Sequence, residues 1–455
     1  MNDNFIMATD SYKVTHHQMY TPNTTEIYSY FECRNGAKFN DICFFGLQYI
    51  ITRYFTAPIT QYNIDQAEAY FDTHFGKDVF NRKGWEYILN KHNGYLPLEI
   101  RAIPEGTWVT PGTPLITVRN TDPNCAWLTN YAETILSQVW YPTTVATLSG
   151  NIKKLISGYF DETCDGGRSD PSISFMLHDF GFRGASSLET AGIGGMAHLV
   201  NFMGTDTLEA LRYAYRYYMG DTVGFSVPAT EHSIMTSDEN GEEAVLKRLL
   251  DQYPSGILSV VADSYDIYNF VAEYMKKYKD QILARNGVFV VRPDSVTPKH
   301  PTPEDQVLWI CNTLKDIFGA EKNAKGFYVI NPKVKVLWGD GIDMNGIDRI
   351  LTILKENEFA ASNIATFGMG GGLLQKVNRD TLRCAFKCSN RTYTKDGAEV
   401  SMPVQKNPLD KSKASKAGKF DIDRVVYIKE MNDYEPTINA QDFSDVRSRA
   451  SKMFV

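Results

Sequence analysis

Several familiar signals are missing from this 455-residue chain, and each absence narrows what it can be. No apolar run approaches the roughly 18 residues that cross a bilayer. The first residues, Met1-Asn2-Asp3-Asn4-Phe5, lack the charged and apolar regions of a secretory leader. A cytoplasmic chain without a membrane partner is the expectation. The seven cysteines (Cys33, Cys43, Cys125, Cys164, Cys311, Cys384 and Cys388) are scattered and include no CxxC pair, which favours reduced structural thiols over a disulfide framework or zinc site. A formal net charge of −7 lacks the basic excess usual for nucleic-acid binding, so no nucleic-acid partner is expected. There is no Walker A sequence and no HExxH. Gly192-Ile193-Gly194-Gly195-Met196-Ala197 satisfies the dinucleotide spacing, but no strand precedes it, and small residues packing a helix explain it. Internal repeats and low-complexity tracts are also absent.

What remains is an ordinary enzyme-like composition on a chain too long for one average domain, so two domains or one elaborated barrel is expected. Up to about Tyr141 the signals are mixed. Ile27 to Cys33 is aromatic-rich and strand-like, Asp65 to Phe75 and Gly84 to Lys91 read as helices, and Leu96 to Val118 alternates apolar and polar positions between turns. From about Thr144 the pattern becomes strand followed by helix. Apolar runs end in polar clusters at His178-Asp179-Phe180, Glu231-His232-Ser233, Asp263-Ser264-Tyr265-Asp266, Arg292-Pro293-Asp294-Ser295, Gly339-Asp340-Gly341 and the glycine loop Gly368 to Gly372. Ser186 to Glu189 resembles a capping box, and Pro303 sits at a first helical position. Such alternation fits an α/β barrel, whose loops converge at the carboxyl ends of the strands, and also a doubly wound sheet; the spacing favours the barrel. The expected organisation is an N-terminal β-rich α+β domain over 1–143, completed by 380–455, and an α/β catalytic domain over 144–379.

The glycine loop reads as a phosphate cradle: glycines admit a ligand to the backbone, and a following helix would aim its first N–H groups at an anion. Arg379 and Lys387 follow it with charges suited to a phosphoryl dianion. Asp263, Asp266, Asp294, Asp340 and Asp343 add carboxylates at strand ends, a combination that suggests Mg²⁺ bridging a polyphosphate, or binding of sugar hydroxyls. His178 reads equally as structural or functional. His232, beside Glu231, leans toward chemistry, because imidazole serves as acid, base or phosphoryl acceptor.

These clusters, with Ala8-Thr9-Asp10-Ser11-Tyr12-Lys13, His178 to Gly184, Asn201 to Asp206 and Pro228 to Ser233, closely resemble the nicotinamide phosphoribosyltransferases, in order from about residue 5 to 450. The resemblance implies an irregular α/β barrel of the type II phosphoribosyltransferases with a second, β-rich domain, assembled as a homodimer with shared active sites. It implies transfer of phosphoribose from 5-phosphoribosyl-1-pyrophosphate to nicotinamide in NAD salvage, with Mg²⁺ and with ATP as co-substrate acting through a phosphohistidine. By the same resemblance Phe180 and the partner subunit's Tyr12 sandwich the pyridine ring, Asp206 accepts the carboxamide N–H, and Arg292 donates to its oxygen. Asp294 holds ribose hydroxyls and, with Asp263, the metal. Gly370, Gly371, Arg379 and Lys387 hold the 5-phosphate, the last two in trans. Arg183, Arg34 and Lys406 serve pyrophosphate, Gly339 and Asp340 complete the substrate site, and His232 with Glu231 forms the phosphorylated pair. Two departures stand out: Ala385 where relatives often carry a phosphate-contacting serine, and Val296 where glycine usually follows Arg-Pro-Asp-Ser. Nicotinate as substrate, or a non-catalytic binding or signalling protein on the same scaffold, are the competing readings.

Overall fold

The computed structural model describes residues 4–409 and 414–454, which divide into two compact units. The first takes in the chain to Thr147 together with Tyr215–Gly220 and Asn378–Ala450; the second comprises Leu148–Ala214, Asp221–Val377 and the C-terminal Ser451–Val455.

The first unit is built on a seven-stranded antiparallel sheet in the order Ala398–Pro403, Cys384–Lys395, Thr24–Cys33, Pro114–Asn120, Leu98–Ala102, Val425–Ile428, Thr437–Ile438. Strands from the C-terminal segment thus flank those from the N-terminal segment. Thr24–Cys33 is an interior strand paired on both edges, and its residues from Ile27 onward are buried whichever way they point, which is why it reads as a continuous aromatic run instead of an alternation. Helices Gln61–Phe75 and Arg82–Lys91 belong to this unit. Glu105 is a buried anchor: its carboxylate accepts from the N–H groups of Gly46 and Gln48 and from the Tyr218 hydroxyl, each at 2.7 Å.

The second unit carries a parallel sheet in the order Gly204–Thr205, Leu177–Asp179, Ile364–Met369, Val334–Trp338, Phe289–Arg292, Leu258–Val261. Its two edges are joined through the irregular segment 225–230. Phe225 bridges Gly204, and Ala229 bridges Ser259, both in the parallel sense. Pro228 has no N–H to give the ladder, so this seventh member never becomes a regular strand. The ring is therefore the irregular α/β barrel. Crossover helices such as Pro303–Phe318 and Met344–Glu356 turn apolar faces inward. Thr302 caps the first, accepting from Asp305 N–H at 3.2 Å with Pro303 at the first helical position. At helix Leu188–His198 the cap is Ser187, accepting from Thr190 N–H at 3.0 Å, so the expected Ser186–Glu189 capping box does not form. The Gly192–Ala197 run lies inside that helix. Among the described residues no helix is long and apolar enough to cross a membrane.

Candidate active site

Every strand of the ring leads into candidate site residues at its carboxyl end. Phe180 follows Leu177–Asp179, Asp206 follows Gly204–Thr205, and Glu231 and His232 follow the irregular segment. Asp263 follows Leu258–Val261, Arg292 ends its strand with Asp294 just beyond, Gly339 and Asp340 follow Val334–Trp338, and Gly370 and Gly371 follow Ile364–Met369.

A cavity of about 540 Å³ is lined by Phe180, Phe182, Arg183, Asp206 and Arg292. The Arg292 guanidinium lies 5.4 Å from the Phe180 ring centroid, and one of its terminal nitrogens is 3.4 Å from Asp294 Oδ1. Opposite in charge, Asp206 is held by two donors: His178 Nε2 at 2.8 Å and Ser226 Oγ at 2.5 Å, both on Oδ1. Burial alone would push this carboxyl up, but the His178 hydrogen bond and charge, Ser226 and Arg292 outweigh it and hold its pKa below the ordinary carboxylate value. Asp206 is therefore an ionised acceptor whose side chain is still 48% exposed. His178 and Ser226 also line a second cavity, of about 360 Å³, whose other walls are largely apolar. His178 thus belongs to the site as a partner of Asp206. Ser226 and Phe182 are contributors the sequence reading left unassigned.

The carboxylates sort into different roles. Asp263 Oδ2 accepts from Asp294 N–H at 3.0 Å and Ser295 Oγ at 2.5 Å, while its Oδ1 is buried without a hydrogen-bond partner. Asp340 is pushed up by burial and by the charges of Asp294 and Asp263, which places the three in one anionic neighbourhood. Glu242, absent from the sequence reading, joins them: burial, then Asp266 and Asp263, raise it to about 7, and its Oε2 has no partner. Asp266 and Asp343, by contrast, cap helices. Asp266 accepts from Tyr268 N–H at 2.9 Å and Asp343 from Gly346 N–H at 2.9 Å.

His232 is 49% exposed at its side chain, with Nδ1 3.1 Å from Ser264 Oγ and Nε2 3.4 Å from Asp294 Oδ2. Glu231 precedes it as the helix cap residue and accepts from the Ser233 hydroxyl. The glycine loop differs from expectation in one respect. The helix after it is a single turn, Gly371–Leu374, so a helix dipole adds little and the backbone N–H groups of half-buried glycines are what the loop could offer an anion.

The remaining predicted residues lie in the first unit. Lys387 gathers them: burial lowers its ammonium pKa, Glu133 opposes this, and the charges of Arg34, Lys406 and Arg379 lower it further. These four cations therefore share one locality, which suits a polyanion. Tyr12 is 57% exposed, packed edge-on to His16 and 5.4 Å from the Lys13 ammonium, which is itself paired with Glu133 at 2.8 Å. Ala385 stands opposite Glu32 in the sheet, and Val296 is exposed in the loop after Ser295.

Residues 175–439 match the model of the nicotinate phosphoribosyltransferase (NAPRTase) family, and residues 4–100 match that of the nicotinamide phosphoribosyltransferase N-terminal domain. The chain is 41% identical over 425 residues to a nicotinamide phosphoribosyltransferase of Xanthomonas campestris pv. campestris (strain 8004), covering 92% of this chain and 87% of that protein. It is 33% identical over 454 residues to one of Mycoplasma pneumoniae (strain ATCC 29342 / M129 / Subtype 1), covering 93% and 96%. Among solved structures, nicotinate-nucleotide pyrophosphorylase from Pyrococcus furiosus superposes with a TM-score of 0.60 at 12% identity, over 100% of this chain and 97% of that one. Human nicotinic acid phosphoribosyltransferase gives 0.58 at 14%, over 98% and 93%. At those identities the structural likeness speaks for the fold.

Proposed function

The chain belongs to the nicotinate phosphoribosyltransferase (NAPRTase) family and is a pentosyltransferase, and from that premise we propose that it joins nicotinamide to 5-phosphoribosyl-1-pyrophosphate, forming nicotinamide mononucleotide and pyrophosphate in NAD salvage. The observation that carries the choice of base is Asp206. A carboxamide presents both an N–H donor and a carbonyl acceptor, and the cavity offers an ionised acceptor in Asp206 and a donor in Arg292 beside the Phe180 ring. Nicotinate has only acceptors and would meet Asp206 as a like charge.

Phe180 supports the pyridine ring by offset stacking, with the partner subunit's Tyr12 on the other face of a homodimer. Asp294 and Asp340 hold ribose hydroxyls beside Gly339. Gly370 and Gly371, with the partner subunit's Arg379 and Lys387, hold the 5-phosphate; Arg183, Arg34 and Lys406 serve pyrophosphate. The buried, unpartnered Oδ1 of Asp263 beside Asp294 suits a hard cation that takes one or two carboxylates and fills its shell with substrate oxygens, as Mg²⁺ does. Bound there, Mg²⁺ would neutralise charge on the leaving pyrophosphate. The protein's own part is positional: it aligns the ring nitrogen with the ribose carbon, and its cations stabilise charge as the glycosidic bond loosens. The pyridine nitrogen carries no proton, so no general base is needed. His232, exposed and oriented by Ser264, accepts the phosphoryl group of ATP, with Glu231 beside it.

The test is a product assay with nicotinamide, 5-phosphoribosyl-1-pyrophosphate and Mg²⁺, with and without ATP. Nicotinamide mononucleotide and pyrophosphate in equal amounts, formed faster with ATP, is the expected result. No nucleotide under either condition would overturn the assignment.

A further inference from the structure

Of the seven cysteines, two face each other. Cys33, the last residue of Thr24–Cys33, is directly opposite Cys384, the first residue of Cys384–Lys395. Their sulfurs are 3.4 Å apart. The neighbouring ladder bond runs from Arg34 N–H to the Arg383 carbonyl, which makes the cysteines a non-hydrogen-bonded antiparallel pair. In such pairs the Cα atoms are about 4.5 Å apart and the side chains approach closely, within the span a disulfide bridges. Both thiols are buried, at 2% and 4% exposure. Position offsets this: they terminate their strands, and ladder ends open locally far more readily than ladder centres. When this end opens, both sulfurs are uncovered together.

We propose that Cys33 and Cys384 are a reversible oxidation site, closing to a disulfide when a peroxide reaches the opened strand end. One thiolate attacks the peroxide and becomes a sulfenic acid with release of water. The other thiol displaces a second water, so two S–H bonds are lost, one S–S bond forms, and the peroxide is reduced to two waters. A dithiol reverses the change by exchange. The bond closes a loop of about 350 residues and so restricts the unfolded chain strongly. It also ties the strand that carries Lys387 to the strand that runs into Arg34, next to the cation cluster.

The experiment treats the reduced full-length protein with hydrogen peroxide, removes the oxidant, unfolds the protein and labels it with N-ethylmaleimide. The seven labels of reduced protein should fall to five, with the missing pair recovered as one linked peptide containing Cys33 and Cys384. Dithiothreitol should restore all seven. C33S and C384S should each keep their six labels after peroxide, whereas C388S should fall from six to four. Oxidised wild-type protein should melt several degrees higher than reduced, a shift absent in C33S. Seven labels retained in wild type, or a loss confined to Cys388, would overturn the proposal. The readout is chemical, so its failure is distinguishable from failure of the proposed catalytic activity.

Discussion

Replacing Asp206 with asparagine should relax the choice between nicotinamide and nicotinate. The substitution keeps the side-chain shape and an oxygen that can still accept from His178 Nε2, now 2.8 Å away, while removing the charge. Two like charges about 4 Å apart interact by about 4 kcal/mol at the effective dielectric typical near a protein surface. Half-exposure of Asp206 and the nearby Arg292 guanidinium screen part of this. We therefore expect about 2 kcal/mol to be recovered for the acid, a change of about 30-fold in the kcat/KM ratio of the two bases. Nicotinamide turnover should fall as well, since His178 and Ser226 occupy the one oxygen asparagine retains and its amide nitrogen then faces the carboxamide N–H as donor to donor. Because His178, Ser226 and Arg292 keep the Asp206 carboxyl ionised, wild-type preference should be flat across neutral pH. The assay measures kcat/KM for both bases with saturating donor, on wild type, D206N and D206A; D206A, which also lacks the charge, should shift the ratio toward nicotinate in the same direction while losing nicotinamide turnover. A D206N preference within about threefold of wild type would refute the like-charge argument.

The other expectations concern coupling, metal, pH and assembly. H232A should lose ATP stimulation yet retain basal turnover; undiminished stimulation would remove the phosphohistidine. D263N should raise the Mg²⁺ concentration for half-maximal activity about tenfold or more, read from a metal titration at fixed donor. Glu242 titrates at about 7 in the folded protein against an ordinary 4.5, so native protein retains a proton that unfolded protein has released. Stability should therefore fall as pH rises from about 4.5 to 7, by up to about 3 kcal/mol, a loss that E242Q removes. Metal-free melting curves of both proteins from pH 5 to 8.5 check this, and parallel curves would contradict it. In a homodimer with shared sites, R379A and D294N, each inactive alone, should regain about a quarter of wild-type activity once subunits exchange, because half the dimers then carry one intact site of two. No recovery after demonstrated exchange would argue for sites within one chain.

Much of the ring was legible because a parallel strand buried on both faces is a short apolar run, and its end is marked by the polar residues that emerge from the core. Gly204–Thr205 was not, since two residues form no pattern. The Phe225 to Val227 run was visible as an apolar stretch, but only structure shows that it joins the ring's edges by isolated bridges. Register was the larger gap. His178 and Asp206 meet because parallel pairing sets His178 beside Gly204 and Asp179 beside Thr205, and Lys387 faces Tyr30 across the antiparallel ladder; residue spacing along the chain encodes neither. The sorting of carboxylates failed more instructively. Asp266 and Asp343 each stand immediately before a helical segment, the signature of a cap, and that signal was available. Glu242, the first residue of its helix, looks like a routine dipole partner, and nothing in the sequence reveals that it is buried beside two aspartates.

The glycines at two neighbouring strand ends divide into two kinds, and under the proposed function the division accounts for ring and phosphate meeting at one strand. A Cβ on Gly368 would lie 2.0 Å from the Phe180 ring and one on Gly339 would lie 3.2 Å from it, so these two glycines make room for the aromatic platform. Added to Gly370 or Gly371, a Cβ would come no closer than 3.4 Å to the Phe180 carbonyl or 3.3 Å to the flexible end of Gln375. Packing does not demand glycine there with the same force, which supports the proposed close approach of an anion to the backbone. Phe180 N–H also donates to the Met369 carbonyl at 3.0 Å. On the proposed assignment the one strand Ile364–Met369 would then fix both the platform for the base and the cradle for the phosphate. For a transfer that needs no proton abstraction, a set distance between the ring nitrogen and the phosphorylated ribose is the main thing a protein can contribute, and a stiff strand supplies it better than two independent loops could.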